Sequence, residues 1–404
     1  MDVSLIAPLV RGLALSRSAG SPAVVASRDA SAAALPPSTA RLSFGEAPTE
    51  SDALSALKAS PLAMGEGLPF LLAVTVGSET RLFAAAASLE EARALLEGKP
   101  APAAKAAETK AMAETKAAKV LVAGSAAKRD KVVEGKVALV TGGAQGFGEE
   151  IVRGLAASGA LVYVADMNLS GAEKLAAELC SAAGRTVALP LAIDVSSEES
   201  VKKAFATVAA TTGGLDLVVS NAGVLKAASV LEQDLSAFEF VTKVNYIGFF
   251  VISKHSARML RLQRLACPGY LSDIIQINSK SGLEGSNKNG AYAGSKFGGL
   301  GLVQSFALEL ISCGIKVNAI CPGNFLDGPL WSDPDKGLFV QYLRTGKVPG
   351  AKTIADVRAY YEAKVPMGRG CEGPDVMRAV YYIVEQRYET GQAVPVTGGQ
   401  VMLN

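Results

Sequence analysis

The chain has 404 residues, of which 49% are hydrophobic and 19% charged, a composition typical of a folded protein with a large domain and a smaller one. Forty basic and thirty-eight acidic residues give a formal net charge of +2, and no dense Lys/Arg tract provides the long-range attraction that nucleic-acid binding needs. No uninterrupted apolar run approaches the roughly 20 residues of a membrane span, so we expect neither nucleic acid nor membrane as a partner.

Cysteine and histidine usage argues against a metal site. The five cysteines have no C-x-x-C spacing, which excludes a predicted zinc site or disulfide framework and favours a reducing, cytoplasmic compartment. The single histidine, His255, is interpreted as a helix-surface residue. We therefore predict no bound metal and no histidine catalysis.

The first third of the chain contains three segments that differ in composition. Residues 1–50 are rich in Ala and Ser like a transit peptide, but they lack a cleavage pattern and are interpreted as an ordinary extension. A helix-like "SDALSALKA", two apolar runs around the turn "GSE" and the acidic-start helix "SLEEARALLEG" then predict a small α+β unit. Residues 99–131, with repeated "AETKA", predict a linker or helical spacer between an N-terminal region, 1–98, and a catalytic domain, 132–404.

Short β-branched runs alternate with helical ones from about Val132 onward. They read "KVALVT", "EEIVRGLAASG", "LVYVAD", "AEKLAAELCSAAG", "TVALPLAID", "SVKKAFATVAATTG" and "LDLVVSNAG". Strands separated by helices predict right-handed β-α-β units and a parallel sheet covered on both faces. We predict the α/β class, with a Rossmann-type doubly wound sheet whose ligand-binding residues follow the strands.

The first of these strands runs into "GGAQGFGEE" at the start of a helix, which contains Gly142, Gly146 and Gly148. Glycine is needed there because the backbone must turn tightly and approach a pyrophosphate, whose charge the helix N-terminus favours. Gln145 and Phe147 lie in the same turn. The pattern predicts a dinucleotide-binding site.

Asp166 ends the second strand, where a carboxylate accepts hydrogen bonds from the adenosine ribose. Such a carboxylate would repel the 2'-phosphate of NADP, and no arginine follows it to bind that phosphate, so NAD is the predicted cofactor. Residues expected beside the cofactor after the third and fourth strands are Asp194, Val195, Asn221, Ala222 and Gly223.

The stretch "INSKSGLEGSNKNGAYAGSKFGG" contains Tyr292 and Lys296 four positions apart, with Ser279 thirteen positions before the tyrosine. Residues four apart share a helix face, so the lysine charge should lower a phenol pKa that is otherwise about 10. A tyrosinate could then accept an alcohol proton near neutral pH.

With "TGGAQGFG", "NAG", the Asn of "KVNYIGFF", this Ser, "YAGSK" and "CPG", the chain resembles the short-chain dehydrogenase/reductase family from about residue 132 to its end. The resemblance implies that Tyr292 is the general acid/base, Lys296 its electrostatic partner and Ser279 the donor to the substrate oxygen, with Ser281 as the alternative serine. Tyr292 and Lys296 would also contact the cofactor.

The same resemblance implies that Asn245 holds a relay water and that Pro322 and Gly323 of "CPG" lie at the cofactor. It implies a homodimer or homotetramer formed through the helices that carry Asn245 and Tyr292.

Within the family, "IIQINSKSG", "YAGSKFGGLGLVQSFALEL", "KVPMGRGC" and "TGQAVPVTGGQVM" resemble the polyol-phosphate dehydrogenases of carbohydrate metabolism, which interconvert D-sorbitol 6-phosphate and fructose 6-phosphate with NAD. The cations available for a phosphorylated polyol are Lys226, Lys280, Lys288 and Arg369. Residues 324–366 are expected to form a mobile lid, or else a fixed pair of surface helices. Two other functions stay open: a dehydrogenase of an unphosphorylated polyol or small hydroxyaldehyde, and an NAD-binding scaffold or regulator without turnover.

Overall fold

The structure is a computed structural model that describes residues 2–18, 23–30, 35, 39–60, 62, 68–99, 130–335, 337–344 and 346–402. The predicted linker, 99–131, lies outside the described residues except at its two ends.

The N-terminal region is a small α+β unit. In chain order its elements are α1 (Val3–Arg17), β1 (Val24–Ala30), β2 (Ala40–Phe44), α2 (Glu50–Ala59), β3 (Phe70–Val76), β4 (Glu79–Ala86) and α3 (Leu89–Leu96). The strands form one sheet in the order β1-β4-β3-β2, in which only β2 and β3 are parallel among neighbours. The two helices and the two apolar runs predicted after residue 50 are thus confirmed as α2, α3, β3 and β4.

The small α+β unit begins earlier than its predicted start near residue 51, because α1, β1 and β2 precede that residue. Every residue of α1 from Ile6 to Leu15 is buried, so the helix has no polar face and gives no amphipathic signal. Its start is nevertheless capped, since the Asp2 carboxylate accepts a hydrogen bond from the Ser4 N–H at 2.9 Å.

The second and larger part of the chain alternates strands and helices, as the sequence predicts. Its elements are β5 (Val137–Thr141), α4 (Gly146–Ala157), β6 (Leu161–Asp166), α5 (Leu169–Ala183), β7 (Ala188–Ala192), α6 (Glu198–Thr212), β8 (Leu217–Ser220), α7 (Leu235–Thr242), α8 (Gly248–Ala266), β9 (Ser272–Ile277), α9 (Gly290–Leu310), β10 (Ile315–Pro322), α10 (Pro329–Ser332), α11 (Leu338–Arg344), α12 (Ile354–Glu362), α13 (Gly373–Glu385) and β11 (Ala393–Val396). Seven strands pair in parallel in the order β7-β6-β5-β8-β9-β10-β11, which confirms the doubly wound fold.

Helices cover both faces of this sheet. Apolar residues of α4, α5 and α13 pack on one face, and those of α6, α8 and α9 pack on the other. The N-terminal region shares the second core, because α1 lies against α6 and α8. A Cβ on Gly12 would overlap the Gln263 carbonyl, so the two helix backbones approach closely there.

A π-helical turn, Lys243–Ile247, joins α7 and α8 into one continuous helix, Leu235–Ala266. Its length and mean hydropathy of 1.4 would also fit a membrane span, but here its inner face packs on α1 and the sheet. His255 on α8 is buried at 8% exposure rather than on the helix surface. The reason is a contact with α6, since its Nε2 lies 3.0 Å from Glu198 Oε1.

The segment after β10, 324–366, contains the three short helices α10 to α12. They surround a small apolar core of their own, in which Trp331 packs against Phe339 and Tyr361 with ring centroids 5.2 and 4.7 Å apart. That residues 324–366 act as a mobile lid stays a prediction.

Arg11 of α1 is fully buried and forms an ion pair with Asp216, the residue before β8. Its two terminal nitrogens donate to the two carboxylate oxygens at 3.0 and 2.7 Å. The same carboxylate accepts hydrogen bonds from the Val137 N–H and the Tyr270 hydroxyl, each at 2.7 Å. Burial alone would raise the pKa of Asp216, but the charge and hydrogen bonds of Arg11 hold it below its usual value.

Replacing Arg11 by leucine should lower the free energy of unfolding by about 3–5 kcal/mol, because it leaves a buried carboxylate without its ion-pair partner. Urea denaturation at pH 7 measures this loss. Since the folded pKa of Asp216 lies below its unfolded value, the stabilisation is present above that unfolded pKa. It is lost as pH falls through the folded pKa, so wild type and variant should converge in acid.

The matched control is Arg81→Leu in the same region, because the partner carboxylate of Arg81, on Asp29, is 90% exposed. This change should cost less than about 1 kcal/mol. Equal small losses for the two variants would show that the Arg11 pair does not anchor α1.

Candidate active site

The turn between β5 and α4 requires glycine. Gly142 and Gly146 have φ of 62° and 60°, in the left-handed region that side chains disfavour. A Cβ on Gly148 would overlap the Gly142 carbonyl oxygen. The turn therefore presents backbone at the N-terminus of α4, which suits a pyrophosphate.

The residues after β8 are hydrogen-bonded to this turn. The Asn221 side-chain amide donates to the carbonyl oxygens of Thr141 and Gly142 at 3.0 and 3.1 Å. The Thr141 hydroxyl oxygen in turn accepts hydrogen bonds from the N–H groups of Asn221 and Ala222, both at 3.0 Å. Thr141 was not identified from the sequence; a polar residue ending an apolar strand is the signal that could have found it.

Two carboxylates follow the next strands. Asp166 accepts hydrogen bonds from the Ala144 N–H at 3.0 Å and the Asn168 N–H at 2.9 Å, which fixes its carboxylate beside the glycine turn. Asp194 accepts from the N–H and hydroxyl of Ser196 at 2.9 and 2.7 Å. Val195 is buried. The backbone cradle and the adjacent Asp166 fit the pyrophosphate and ribose of a dinucleotide.

The segment after β10 reaches the same turn. The Phe147 ring stacks on Phe325 with centroids 4.5 Å apart and planes 15° from parallel. Pro322 ends β10, and the Gly323 N–H donates to the Val396 carbonyl at 2.9 Å. Gln145 precedes α4 without a side-chain hydrogen bond to the helix start. The "CPG" stretch and the glycine turn thus meet at one edge of the sheet.

Helix α9 places Lys296 on the same face as Tyr292, with its Nζ 5.6 Å from the tyrosine ring centroid. The lysine is buried, and its Nζ donates to the Ile277 carbonyl at 2.9 Å. Burial lowers the pKa of Lys296 to about 8.

Tyr292 differs from the sequence expectation in one respect. Burial raises its pKa above the usual value, and the hydrogen bond with Ser279 is the interaction that lowers it. The lysine was expected to lower this pKa, but its ammonium group is itself desolvated and is turned toward a backbone carbonyl. Among the protein's own groups, Ser279 performs that task.

Ser279 and Ser281 have different roles. The Ser279 hydroxyl oxygen accepts a hydrogen bond from the Ser281 N–H at 3.1 Å, which leaves the Ser279 proton for donation. Ser281 contributes its backbone to this contact. Asn278, which the sequence analysis missed, accepts from the Ser279 N–H and donates to the Lys296 carbonyl, both at 2.9 Å. Asn278 thus joins the end of β9 to α9. A polar residue directly after an apolar strand is the sequence signal that could have identified it.

Asn245 lies in the π-helical turn between α7 and α8. Its side chain accepts from the Val224 N–H at 2.8 Å and donates to the Val224 carbonyl at 2.9 Å and the Ser295 hydroxyl at 3.1 Å. The amide therefore holds the chain just after Gly223. Its expected role in holding a relay water stays a prediction.

The four cations expected at the substrate have different surroundings. Lys280 is half-buried directly after Ser279, and Lys288 is exposed in the loop before α9. Arg369 donates to both carboxylate oxygens of Asp375 at 2.6 and 3.0 Å, so its charge is compensated. Lys226 lines a cleft of about 320 Å³ that also contains Glu232 and Asp234, where an anion would meet two carboxylates.

Comparisons with known proteins agree with this geometry. The model of the short chain dehydrogenase family matches residues 136–333. Sorbitol-6-phosphate 2-dehydrogenase of Escherichia coli K12 is 37% identical over 270 residues, which cover 66% of this chain and 99% of that protein.

Solved structures give the same result. Sorbitol-6-phosphate 2-dehydrogenase from Erwinia amylovora has a TM-score of 0.61 at 38% identity, covering 66% of this chain and 100% of that chain. A 3-ketoacyl-(acyl-carrier-protein) reductase from Brucella melitensis, complexed with NADH, has a TM-score of 0.56 at 25% identity. The match covers 66% of this chain and 99% of that chain. This chain therefore belongs to the short-chain dehydrogenase/reductase family and is an oxidoreductase that acts on a CH–OH group with a nicotinamide cofactor.

Proposed function

We propose that the protein is an NAD-dependent polyol-phosphate dehydrogenase that interconverts D-sorbitol 6-phosphate and fructose 6-phosphate. The observation that carries the substrate is the 37% identity to the E. coli sorbitol-6-phosphate 2-dehydrogenase along nearly its whole length. The contact of Ser279 with Tyr292 and the position of the Lys296 ammonium near the Tyr292 ring support the chemistry.

In the oxidation direction, Tyr292 in its ionised form accepts the proton of the substrate hydroxyl. Ser279 donates a hydrogen bond to the same oxygen and holds it as the carbonyl forms. Lys296, buried beside the tyrosine, contributes positive charge when protonated. When bound, the oxidised nicotinamide would supply the hydride acceptor for the carbinol carbon, and its positive charge would favour the tyrosinate form of Tyr292.

We propose NAD rather than NADP because of Asp166. Its carboxylate is held beside the glycine turn by two backbone N–H groups, where it would accept hydrogen bonds from the ribose hydroxyls and repel a 2'-phosphate. The structure with NADH among the relatives belongs to the Brucella reductase and is compatible with this choice.

We also propose a cytoplasmic homo-oligomer. Apolar side chains are exposed on the helix that carries Asn245, among them Phe238, Ile247 and Phe250, and on α9 through Phe297 and Leu308. Exposed apolar side chains on neighbouring helices are typical of a protein interface. All five cysteines are unpaired, which supports a reducing compartment.

NAD reduction at mildly alkaline pH tests the proposed function directly. D-sorbitol 6-phosphate should be oxidised with a higher kcat/KM than D-sorbitol and other polyols or polyol phosphates, and NADP should replace NAD poorly. Tyr292→Phe should abolish turnover while NAD still binds. Turnover of other alcohols alone would overturn the substrate assignment, and NAD binding without turnover on the whole panel would favour a scaffold.

The pH profile of oxidation should depend on Ser279. Because Tyr292 must lose its proton, kcat/KM rises with pH; burial moves this rise toward higher pH, and the positive charge of the oxidised nicotinamide moves it back toward neutral pH. Ser279→Ala removes the interaction that lowers the pKa of Tyr292, so the rise should move to still higher pH. The rate at the plateau should fall by roughly 100-fold or more, because the substrate oxygen loses a donor.

Ser281→Ala is the matched control and should leave the profile in place, because Ser281 contacts Ser279 through its backbone N–H. If Ser281→Ala shifts the profile and Ser279→Ala does not, the two serines have the opposite roles.

The full-length chain should sediment as a dimer or tetramer, since its exposed apolar helices need a partner surface. Sedimentation equilibrium at micromolar protein measures this. Phe250→Glu should shift the population toward the monomer, whereas the exposed loop variant Val230→Glu should have less effect. A wild-type monomer would contradict the proposal.

A further inference from the structure

Four lysines from separate parts of the chain repel one another electrostatically. Lys280 follows β9, Lys288 precedes α9, Lys347 follows α11 and Lys364 follows α12. Burial and the charges of Lys288 and Lys364 lower the pKa of Lys347. Burial lowers the pKa of Lys280, the Glu284 carboxylate opposes this effect, and the charge of Lys364 adds a smaller lowering. Lys347 is therefore within electrostatic reach of Lys288 and Lys364, and Lys280 of Lys364, and we call these four residues the lysine cluster.

Aromatic rings hold two members of this cluster in place. The Lys347 Nζ lies 4.0 Å from the centroid of Tyr342, and the Lys364 Nζ lies 4.2 Å from that of Tyr360. Lys364 is also 5.5 Å from the Tyr361 centroid, and Tyr361 stacks on Tyr342 at 5.6 Å. Ammonium groups are attracted to ring faces at these distances. The two lysines thus contact one aromatic platform while their side chains stay exposed to solvent.

Among the described residues none of the four lysines forms an ion pair, in contrast to the arginines nearby, although the Glu284 carboxylate partly offsets the charge around Lys280. Arg358 of α12 pairs with Asp327 and Glu362, and Arg369 pairs with Asp375. Like charges that are not held in ion pairs favour binding of an anion.

The cluster begins one residue from the reacting groups. Lys280 directly follows Ser279, whose hydroxyl interacts with Tyr292. A substrate held with its reacting hydroxyl between Ser279 and Tyr292 can extend its carbon chain toward Lys280. An anionic group at the far end of a short polyol would then meet the other lysines.

We propose that Lys280, Lys288, Lys347 and Lys364 bind the phosphoryl group of the substrate, with Lys347 and Lys364 of the 324–366 segment acting as specificity-determining residues. This inference rests on the proposed function, since it takes the substrate to be a polyol phosphate. It replaces Lys226 and Arg369 as phosphate ligands, because Lys226 lies near two acidic residues and Arg369 is paired. Ammonium–phosphate contacts are strong because both partners are charged.

The test compares wild type with the double variant Lys347→Ala/Lys364→Ala. For D-sorbitol 6-phosphate, kcat/KM should fall by about 100-fold, chiefly through KM, because two charged contacts are lost. For D-sorbitol, which has no phosphoryl group, kcat/KM should change by less than about threefold. Lys352→Ala, an exposed lysine of the same segment, is the matched control and should leave both values unchanged.

Two further measurements separate specificity from folding. Lys347→Arg/Lys364→Arg keeps both charges and should restore most of the lost kcat/KM. Thermal unfolding of the alanine variant should match wild type. An equal loss on D-sorbitol and D-sorbitol 6-phosphate, or no loss on the phosphorylated substrate, would overturn the proposal.

Calorimetric titration with inorganic phosphate in the presence of NAD distinguishes failure of this subsite from failure of the proposed function. Wild type should bind phosphate at least about tenfold more tightly than Lys347→Ala/Lys364→Ala, and higher ionic strength should weaken binding. If wild type does not oxidise D-sorbitol 6-phosphate but shows this difference, the proposed substrate is wrong and the anion subsite stands. Equal phosphate affinities would overturn the subsite whatever the substrate.

Discussion

Parallel pairing brings the carboxyl ends of the central strands to one edge of the sheet, and the site depends on this constraint. Thr141 ends β5, Asn221 follows β8, and Ser279 follows β9 through Asn278. Their hydrogen bonds run between strand ends rather than along the chain, as when Thr141 accepts from Asn221, 80 residues away. The glycine turn is one part of that edge, and the reacting groups are its immediate neighbours.

If Tyr292 acts as the base, as we propose, the surrounding protein groups alone do not prepare it for this role. Burial lowers the pKa of Lys296 to about 8 and raises that of Tyr292, because low-polarity surroundings disfavour both charged forms. The Ser279 hydrogen bond opposes the second effect only in part, since the net shift remains upward. In the proposed mechanism, the positive charge of the oxidised cofactor would supply the remaining stabilisation of the tyrosinate. Proton transfer would then depend on cofactor binding.

The features that the sequence predicted are those set by local spacing. Gly142, Gly146 and Gly148 could be identified because a strand, a tight turn and a helix follow in order, and Tyr292 and Lys296 because four positions make one helix face. Helix α1 escaped prediction because it is buried on all sides and has no hydrophobic periodicity.

The features that could not be predicted from the sequence depend on tertiary packing. Lys364 comes within electrostatic reach of Lys280 only through the folding of the 324–366 segment around Trp331, and nothing in its local sequence encodes that approach. The position of Arg369 in the sequence made it a candidate phosphate ligand, but in the fold Asp375 compensates its charge. His255 has the sequence surroundings of a surface residue, and its burial depends on α6, some fifty residues earlier.

The N-terminal region attaches at the opposite edge of the main sheet from the site. Asp216 precedes β8 and Val137 begins β5, so the Arg11 ion pair lies at the amino ends of the central strands. Helix α1 also packs on the C-terminal part of α8, near Gln263, whereas Asn245 precedes the other end of that helix. The region therefore supports the amino ends of the central strands and α8. The dependence runs both ways, because α1 has no polar face to expose to water, and Asp216 without Arg11 would be a buried carboxylate lacking its ion pair.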